Sequence, residues 1–228
     1  DEGSMVFAAP QQIVGSINTD TDNQGTSLFI HPDFFLGHSL SSRIKKYGFF
    51  SYAITEALHL SEKEKKSIQS IFDIIADEIS ERIDGFSNEL IVSQINLLLT
   101  YAKRFYHRQF ITRQVFEKEL LTKFENLLNE YFESSTTLYG IPSVQYFAGQ
   151  LNFSANYLSD MLRSLTGLNT QQHIQNKIIE KAKEIISTTD LSISEISYGL
   201  GFDYPQSLTR LFKKKTNQSP SEYRKFFN

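Results

Sequence analysis

Apolar residues recur at helical spacing along most of the chain from Ser61 onward, and at strand-like spacing only near its start. Between Gln11 and His31 two short apolar runs, Ile13-Val14 with Ile17 and Leu28-Phe29-Ile30, flank a polar, turn-rich stretch from Asn18 to Gly25. That pattern predicts two strands and a loop, too little β structure to close a sheet or barrel. Ser61-x-x-Glu64 then has the form of a capping box, in which hydroxyl and carboxylate each satisfy a backbone N–H of a helix start. Ile68, Ile71, Phe72, Ile75 and Ile79 follow at helical spacing. A second helix is predicted from about Ser87 to about His107. Its apolar residues Leu90, Ile91, Ile95, Leu98, Leu99 and Ala102 make a face wide enough for burial on more than one side. A third, from Gln114 to Phe132, bears the stripe Phe116, Leu120, Phe124, Leu127 and Tyr131, widened by Leu121 and Leu128. Such a stripe serves equally as intramolecular core and as a connector or dimer helix. Glu133 to Gly140, with its Ser-Ser-Thr-Thr run, reads as a linker and a domain boundary.

After that boundary one pattern occurs twice. Val144-Gln145-Tyr146-Phe147-Ala148 is followed by Ser154, Leu158, Leu162, Thr166-Gly167 and His173. Ile193-Ser194-Glu195-Ile196-Ser197 is followed by Leu208, Phe212, Thr216-Asn217 and Tyr223. The offset is 49 residues at Ala148 and Ser197, and 50 from Leu158 and Leu208 onward, so a one-residue insertion sits in the middle turn of the second copy. Each copy predicts a short helix, a tight turn and a second helix with one apolar face, the sequence form of a helix-turn-helix. The predicted helices are Ser143 to Gln150 and Ser154 to Leu165, then Ser192 to Gly199 and Tyr204 to Lys215. Between the pairs runs Thr170 to Thr188, with Ile174, Ile178, Ala182 and Ile185 on one face. Ser219-Pro220-Ser221-Glu222 combines an N-cap, Pro at N1 and Glu at N3, and opens a last short helix. The count is six, or seven with an extra turn before Ser143. Phe202 and Phe212 read as core residues.

Composition narrows the class. The 228 residues hold no cysteine, which excludes disulfides and thiolate zinc sites. No apolar run approaches the roughly 18 residues of a membrane span, and no signal-peptide pattern opens the chain. A soluble, cytoplasmic protein without a membrane partner is expected. Asp1 to Ser4, ahead of Met5, read as a cloning scar outside the fold. The net charge of −3 is unevenly spread: residues 141–228 hold 10 Lys and Arg against 7 Asp and Glu, and the first 140 residues hold 13 against 19. From Tyr204 on, Arg210, Lys213, Lys214, Lys215, Arg224 and Lys225 face Glu222 alone. A basic patch on one domain suffices for phosphate attraction, because screening separates it from the acidic half. Taken alone, such a tail is more often a solvated face.

The second copy, Ser192-Ile193-Ser194-Glu195-Ile196-Ser197, Gly201-Phe202, Ser207-Leu208-Thr209-Arg210-Leu211-Phe212-Lys213-Lys214 and Ser219-Pro220-Ser221-Glu222-Tyr223-Arg224, resembles the signature of AraC-type (AraC/XylS) bacterial transcription regulators. Ser154, Leu158, Gly167, Ala182 and Ile185-Ile186 fit the first half of the same domain, so the resemblance spans roughly Val144 to Arg224. It implies two helix-turn-helix units joined by one long helix, Thr170 to Thr188, and an N-terminal cupin-like effector domain. Phe29-Ile30-His31-Pro32-Asp33-Phe34-Phe35 is similar to the segment that often ends that sensor, but the strands that should precede it are absent. The expected fold is therefore mainly α. It comprises a sensor remnant over 1–60, a helical linker and dimerisation region over 61–135, and a tandem helix-turn-helix DNA-binding domain over 141–228. Three positions depart from the family pattern. Ser197 replaces the more usual Ala; Asn217 stands where Gly is common, though Asn also occupies the left-handed region; and Asp160 occupies the position of Arg210 in the other copy, where a carboxylate repels phosphate or accepts from a cytosine N4.

A recognition helix needs short polar side chains near its start for base edges and basic ones further along for phosphates. In the first unit Ala155, Asn156, Ser159 and Arg163 lie opposite Tyr157, Leu158, Met161 and Leu162. Asn156 suits adenine, and Arg163 suits guanine or phosphate. In the second, Tyr204, Gln206, Ser207 and Arg210 are expected outside, with Lys213 and Lys214 behind them. Gln206 suits adenine, and Arg210 suits guanine or a phosphate. Each of these residues taken singly is as readily a solvated side chain; the set gains weight from the domain resemblance. The expected function is sequence-specific DNA binding and transcription regulation. The expected partners are promoter or operator DNA, a second copy of the chain through the helices of 87–107 and 114–132, and RNA polymerase. No cofactor is expected. The competing reading is a protein-interaction or dimerisation module with a vestigial DNA unit, which Asp160 and the acidic first half favour. Catalysis has little support: His31, His38, His59, His107 and His173 are scattered, and no P-loop, dinucleotide fingerprint or nucleophile elbow occurs.

Overall fold

The computed structural model of the chain describes residues 3–12, 25–81, 83–112, 114–133 and 140–227, without the side chains of 114–118. The predicted strand at Ile13, Val14 and Ile17, most of the 133–140 linker and the side chain of Phe116 lie outside the described residues. The chain forms two compact units, 1–112 and 113–228.

In the first unit β1 (Gly3–Met5) pairs antiparallel with β2 (Leu58–Leu60), with Ser4 opposite His59. Gly3 and Ser4, set outside the fold on sequence grounds, thus belong to a strand. Leu28-Phe29-Ile30 does not: it has no ladder partner among the described residues, and Phe29 is almost wholly exposed. Apolar alternation marks a strand only where a neighbour takes up its backbone groups. Short α1 (Leu40–Ile44) precedes β2, and α2 (Glu62–Ser80) and α3 (Ser87–Thr112) follow it. The Ser61–Glu64 capping box forms as predicted. Asp84 Oδ1 accepts from the N–H groups of Phe86 and Ser87 and so starts α3.

Helix α3 organises this unit. Ile95, Leu98, Leu99, Ala102, Phe105 and Tyr106 are buried, and rings of Phe49 and Tyr52 pack on Tyr106. Gln109 fills the place of a third strand: its Oε1 accepts from His59 N at 2.8 Å and its Nε2 donates to Ala57 O at 3.2 Å. Arg108 donates to both Glu64 oxygens and to His59 O, tying the start of α2 to β2. The apolar face of α3 that the sequence offered for dimerisation is therefore largely internal core. Leu97, and Leu90 one heptad before it, are exposed on the other side of the helix.

The second unit holds seven helices among the described residues: α4 (Gln114–Glu133), α5 (Val144–Gln150), α6 (Ala155–Thr166), α7 (Thr170–Thr188), α8 (Ile193–Gly199), α9 (Pro205–Thr216) and α10 (Pro220–Arg224). Six of them follow residue 140, as the sequence predicts, with no helical turn at described residues 140–142, and α4 packs with them. Its Leu120, Phe124 and Leu128 are buried, and the Phe124 ring stands edge-on to Phe147 and His173 at 5.5 and 5.6 Å. Tyr131 Oη donates to Gly140 O at 2.9 Å. The compact units consequently divide after Thr112 rather than within 133–140. A Ser/Thr-rich stretch signals a loop, but a loop can fold the preceding helix back onto the domain that follows it. Helix α7 supplies the central core through Ile174, Ile178, Ile179, Ala182 and Ile186; Ile185, expected on this face, is half-buried. No described helix is long and apolar enough to cross a membrane.

Candidate nucleic-acid interface

The two turns share one geometry. In the first, Asn152 takes φ 59° and Phe153 N donates to Ala148 O at 2.9 Å. In the second, Gly201 takes φ 85° and Phe202 N donates to Ser197 O at 3.1 Å. A left-handed residue followed by that bond reverses the chain between the helices. The match holds at an offset of 49 up to Phe153 and Phe202, so the inserted residue is Asp203, just ahead of α9. Gly201 is also pressed on Gly140: a Cβ there would lie 2.5 Å from the Gly140 carbonyl carbon.

The ends of α6 and α9 match as closely. Gly167 and Asn217 both close their helices in the left-handed region, at φ 77° and 61°, so Asn217 keeps the cap that Gly usually makes. Thr166 Oγ1 donates to Leu162 O and Thr216 Oγ1 to Phe212 O, each at 2.8 Å. The following helices are capped by Asn169 with Gln172 and by Ser219 with Glu222. Glu222 is held below the usual carboxylate range by the Ser219 backbone N–H and then its hydroxyl. Glu195, in the same role at α8, is lowered by the Ser192 hydroxyl and then its backbone N–H. Burial pushes His173 below the usual imidazole range, partly offset by Glu125 and the Leu168 backbone; its Nε2 lies 2.8 Å from Thr166 Oγ1.

With both frames fixed, the outward faces differ. On α9, Gln206, Ser207, Arg210, Lys213 and Lys214 are all exposed, and Tyr204 at its N-cap is 69% exposed. Their spacing places Gln206, Arg210 and Lys213 or Lys214 along one side. Phe202, Leu208 and Phe212 are buried beneath them. Lys215 turns away, donating to Asn176 of α7 at 2.8 Å.

On α6 the picture is less basic. Asn156 and Arg163 are exposed, while Ala155 and Ser159 are half-buried. Ser159 does not stand opposite the core as expected: its hydroxyl donates to Thr170 Oγ1 at 3.1 Å, fastening α6 to the start of α7. The sequence pattern missed this because Ser159 lies at the edge of the apolar stripe, where only the crossing of α6 and α7 decides what it meets. Arg163 Nη1 donates to Asp160 Oδ1 at 2.9 Å, an i,i+3 pair with 54% and 29% of the two side chains exposed. Asp160 is thereby joined to a residue expected at the interface. Among the described residues no cluster of His, Asp or Glu could hold a metal ion.

Residues 147–225 match a family model described as a helix-turn-helix domain. The chain is 29% identical over 147 residues to YfiF of Bacillus subtilis, an uncharacterized HTH-type transcriptional regulator, covering 64% of this chain and 44% of that protein. It is 35% identical over 71 residues to the arabinose operon regulatory protein of Escherichia coli, 31% of this chain and 24% of that one. It is 28% identical over 113 residues to histidine kinase P4 of Formosa agariphila, 50% of this chain and 8% of that protein. The chain thus spans less than half the length of these relatives.

Proposed function

We propose that the chain, whose residues 147–225 match a helix-turn-helix domain model, is an AraC-type DNA-binding transcription regulator that sets two recognition helices, α6 and α9, into successive major grooves. The observation that carries this is the duplicated frame: the same turn bond and the same left-handed cap occur in both units, and α9 exposes Gln206, Arg210, Lys213 and Lys214 above a buried core. Short polar groups near a helix start reach base edges, and cations further along reach phosphates. Base readout falls to Asn156 and Arg163 on α6 and to Gln206, Ser207 and Arg210 on α9, with Lys213 and Lys214 on the backbone. Tyr204 flanks the start of α9 and Ala155 that of α6, while Ser159 acts by holding α6 against α7.

Two substitutions separate these roles. Arg210→Ala weakens specific binding by about 1–3 kcal/mol and relaxes sequence preference at one position. Lys214→Ala weakens all sequences alike and lowers the salt slope by about one. Equal small effects from both, with sequence preference intact, reject the assignment. Absence of salt-dependent binding to mixed genomic DNA returns the chain to the class of protein-interaction modules.

The rest of the reading concerns partners. The first unit represents the end of a sensor region. A second copy docks on its exposed apolar residues, Leu90 and Leu97 of α3 with Ile74 and Ile79 of α2. The regulator works in the cytoplasm, where operator DNA and RNA polymerase are its further partners.

A further inference from the structure

The two recognition helices differ most at one equivalent position. Asp160 on α6 stands fifty residues before Arg210 on α9, in frames aligned by their left-handed caps at Gly167 and Asn217. Where α9 presents a guanidinium, α6 presents a carboxylate. One turn further on, Arg163 folds back onto it, Nη1 to Oδ1 at 2.9 Å, while half of the Arg163 side chain and over a quarter of Asp160 stay open to solvent. The equivalent of Arg163 on α9 is the exposed Lys213. The outward face of α6 is therefore neutral as a pair, and that of α9 strongly cationic. A partly exposed i,i+3 ion pair adds little to stability. Pairing with Arg163 offsets the repulsion that a lone carboxylate would meet from the phosphates, so a carboxylate at this place can approach a base edge.

We propose that Asp160 and Arg163 form one base-reading element that selects a cytosine in the half-site under α6; the inference rests on the DNA-binding reading above. In the major groove cytosine presents its N4 amino donor, whereas guanine presents N7 and O6 and thymine presents O4, all acceptors that repel a carboxylate. Adenine offers N6–H beside the N7 acceptor, which suits the amide of Asn or Gln rather than an acceptor-only group. Asp160 therefore accepts from cytosine N4. Arg163, oriented by its bond to Oδ1, keeps further N–H donors for guanine O6 and N7 on a neighbouring pair, and its charge offsets the repulsion between Asp160 and the phosphates. Affinity then comes chiefly from α9, and α6 adds discrimination.

Binding-site selection from random DNA, run on the full chain and on its Asp160→Asn, Asp160→Ala and Arg210→Ala variants at one salt concentration, tests this. The wild-type chain enriches a two-part site with cytosine at one position of the weaker half. Asp160→Asn shifts that position toward adenine, because the amide both donates and accepts. Asp160→Ala loses the preference there, a change of roughly tenfold or more in relative affinity, equal to about 1.4 kcal/mol or more. It also steepens the salt slope by about one. Both variants leave the half-site under α9 unchanged and unfold at the wild-type temperature. A selected site that Arg210→Ala alters, but that both Asp160 variants leave identical at every position, overturns this inference and leaves the DNA-binding reading standing. A wild-type chain that enriches no sequence overturns both.

Discussion

Ser197 and Ala148 occupy the same place in the two repeats, each accepting the bond that closes its turn through the backbone carbonyl. Both are fully buried, but the Ser197 hydroxyl lacks a hydrogen-bond partner among the described residues. A buried hydroxyl without a partner costs its desolvation. Ser197→Ala should therefore raise stability by about 1 kcal/mol, read as a higher midpoint of denaturant unfolding at unchanged slope. Lower stability would show that the hydroxyl meets an acceptor. At Gly201 the opposite holds. Its φ of 85° and its approach to Gly140 leave no room for a side chain. Gly201→Ala should destabilise the second unit by more than about 1 kcal/mol, visible as a lowered thermal midpoint. That a tight turn joins each pair of helices was readable in the sequence. The contact with Gly140 was not, since it joins residues some sixty positions apart.

At the scale of elements, the decisive case is α4. Its stripe could serve core or partner equally well by sequence, because periodicity shows which face is apolar and not what covers it. Phe124, fully buried against Phe147 and His173, assigns it to the core of the second unit. Phe124→Ala should cost about 3–5 kcal/mol and lower the unfolding temperature of the second unit. A variant that melts like the wild-type chain would mean that α4 is only loosely attached. The same junction gives a pH dependence. His173 titrates below its ordinary 6.5 in the folded chain because burial disfavours its charged form. Its contribution to stability is thus complete above 6.5 and is lost as pH falls from there through the lowered folded value. Thermal midpoints measured between pH 7.5 and 5 should drop for the wild-type chain and drop less for His173→Gln. The capping carboxylates Glu195 and Glu222 act further into acid. Their folded values lie below the ordinary one, so their contribution holds above it and is lost as pH falls through the depressed range.

For the whole molecule, charge and exposed apolar surface pull toward different partners. Net positive charge is concentrated in the last repeat, which suits a polyanion, while the first unit keeps Leu90 and Leu97 uncovered on α3. Leu97 and Leu98 make a sharp comparison, adjacent in sequence but 42% and 4% exposed. Leu97→Asp should leave folding intact and shift sedimentation at micromolar concentration toward the monomer. Leu98→Asp should unfold the first unit, since it buries a charge in the core. A Leu97→Asp chain that sediments like the wild type would place any self-association elsewhere.

The sequence by itself determined the two helix-turn-helix repeats almost to the residue. Their helices, caps and turns depend on neighbours three or four positions away, and the repeat at an offset of fifty states them twice. It also placed Phe202 and Phe212 in the core and most of the exposed residues of α9. The sequence could not reach features set by distant contacts. It put strands at Leu28 to Ile30 rather than at Gly3 to Met5, because a strand exists only with its partner, here Leu58 to Leu60. It placed the domain boundary after α4 instead of before it. It left Ser159 facing outward, although its hydroxyl meets Thr170. Tertiary structure decided these points because burial depends on which faces meet across the fold, and local periodicity cannot supply that.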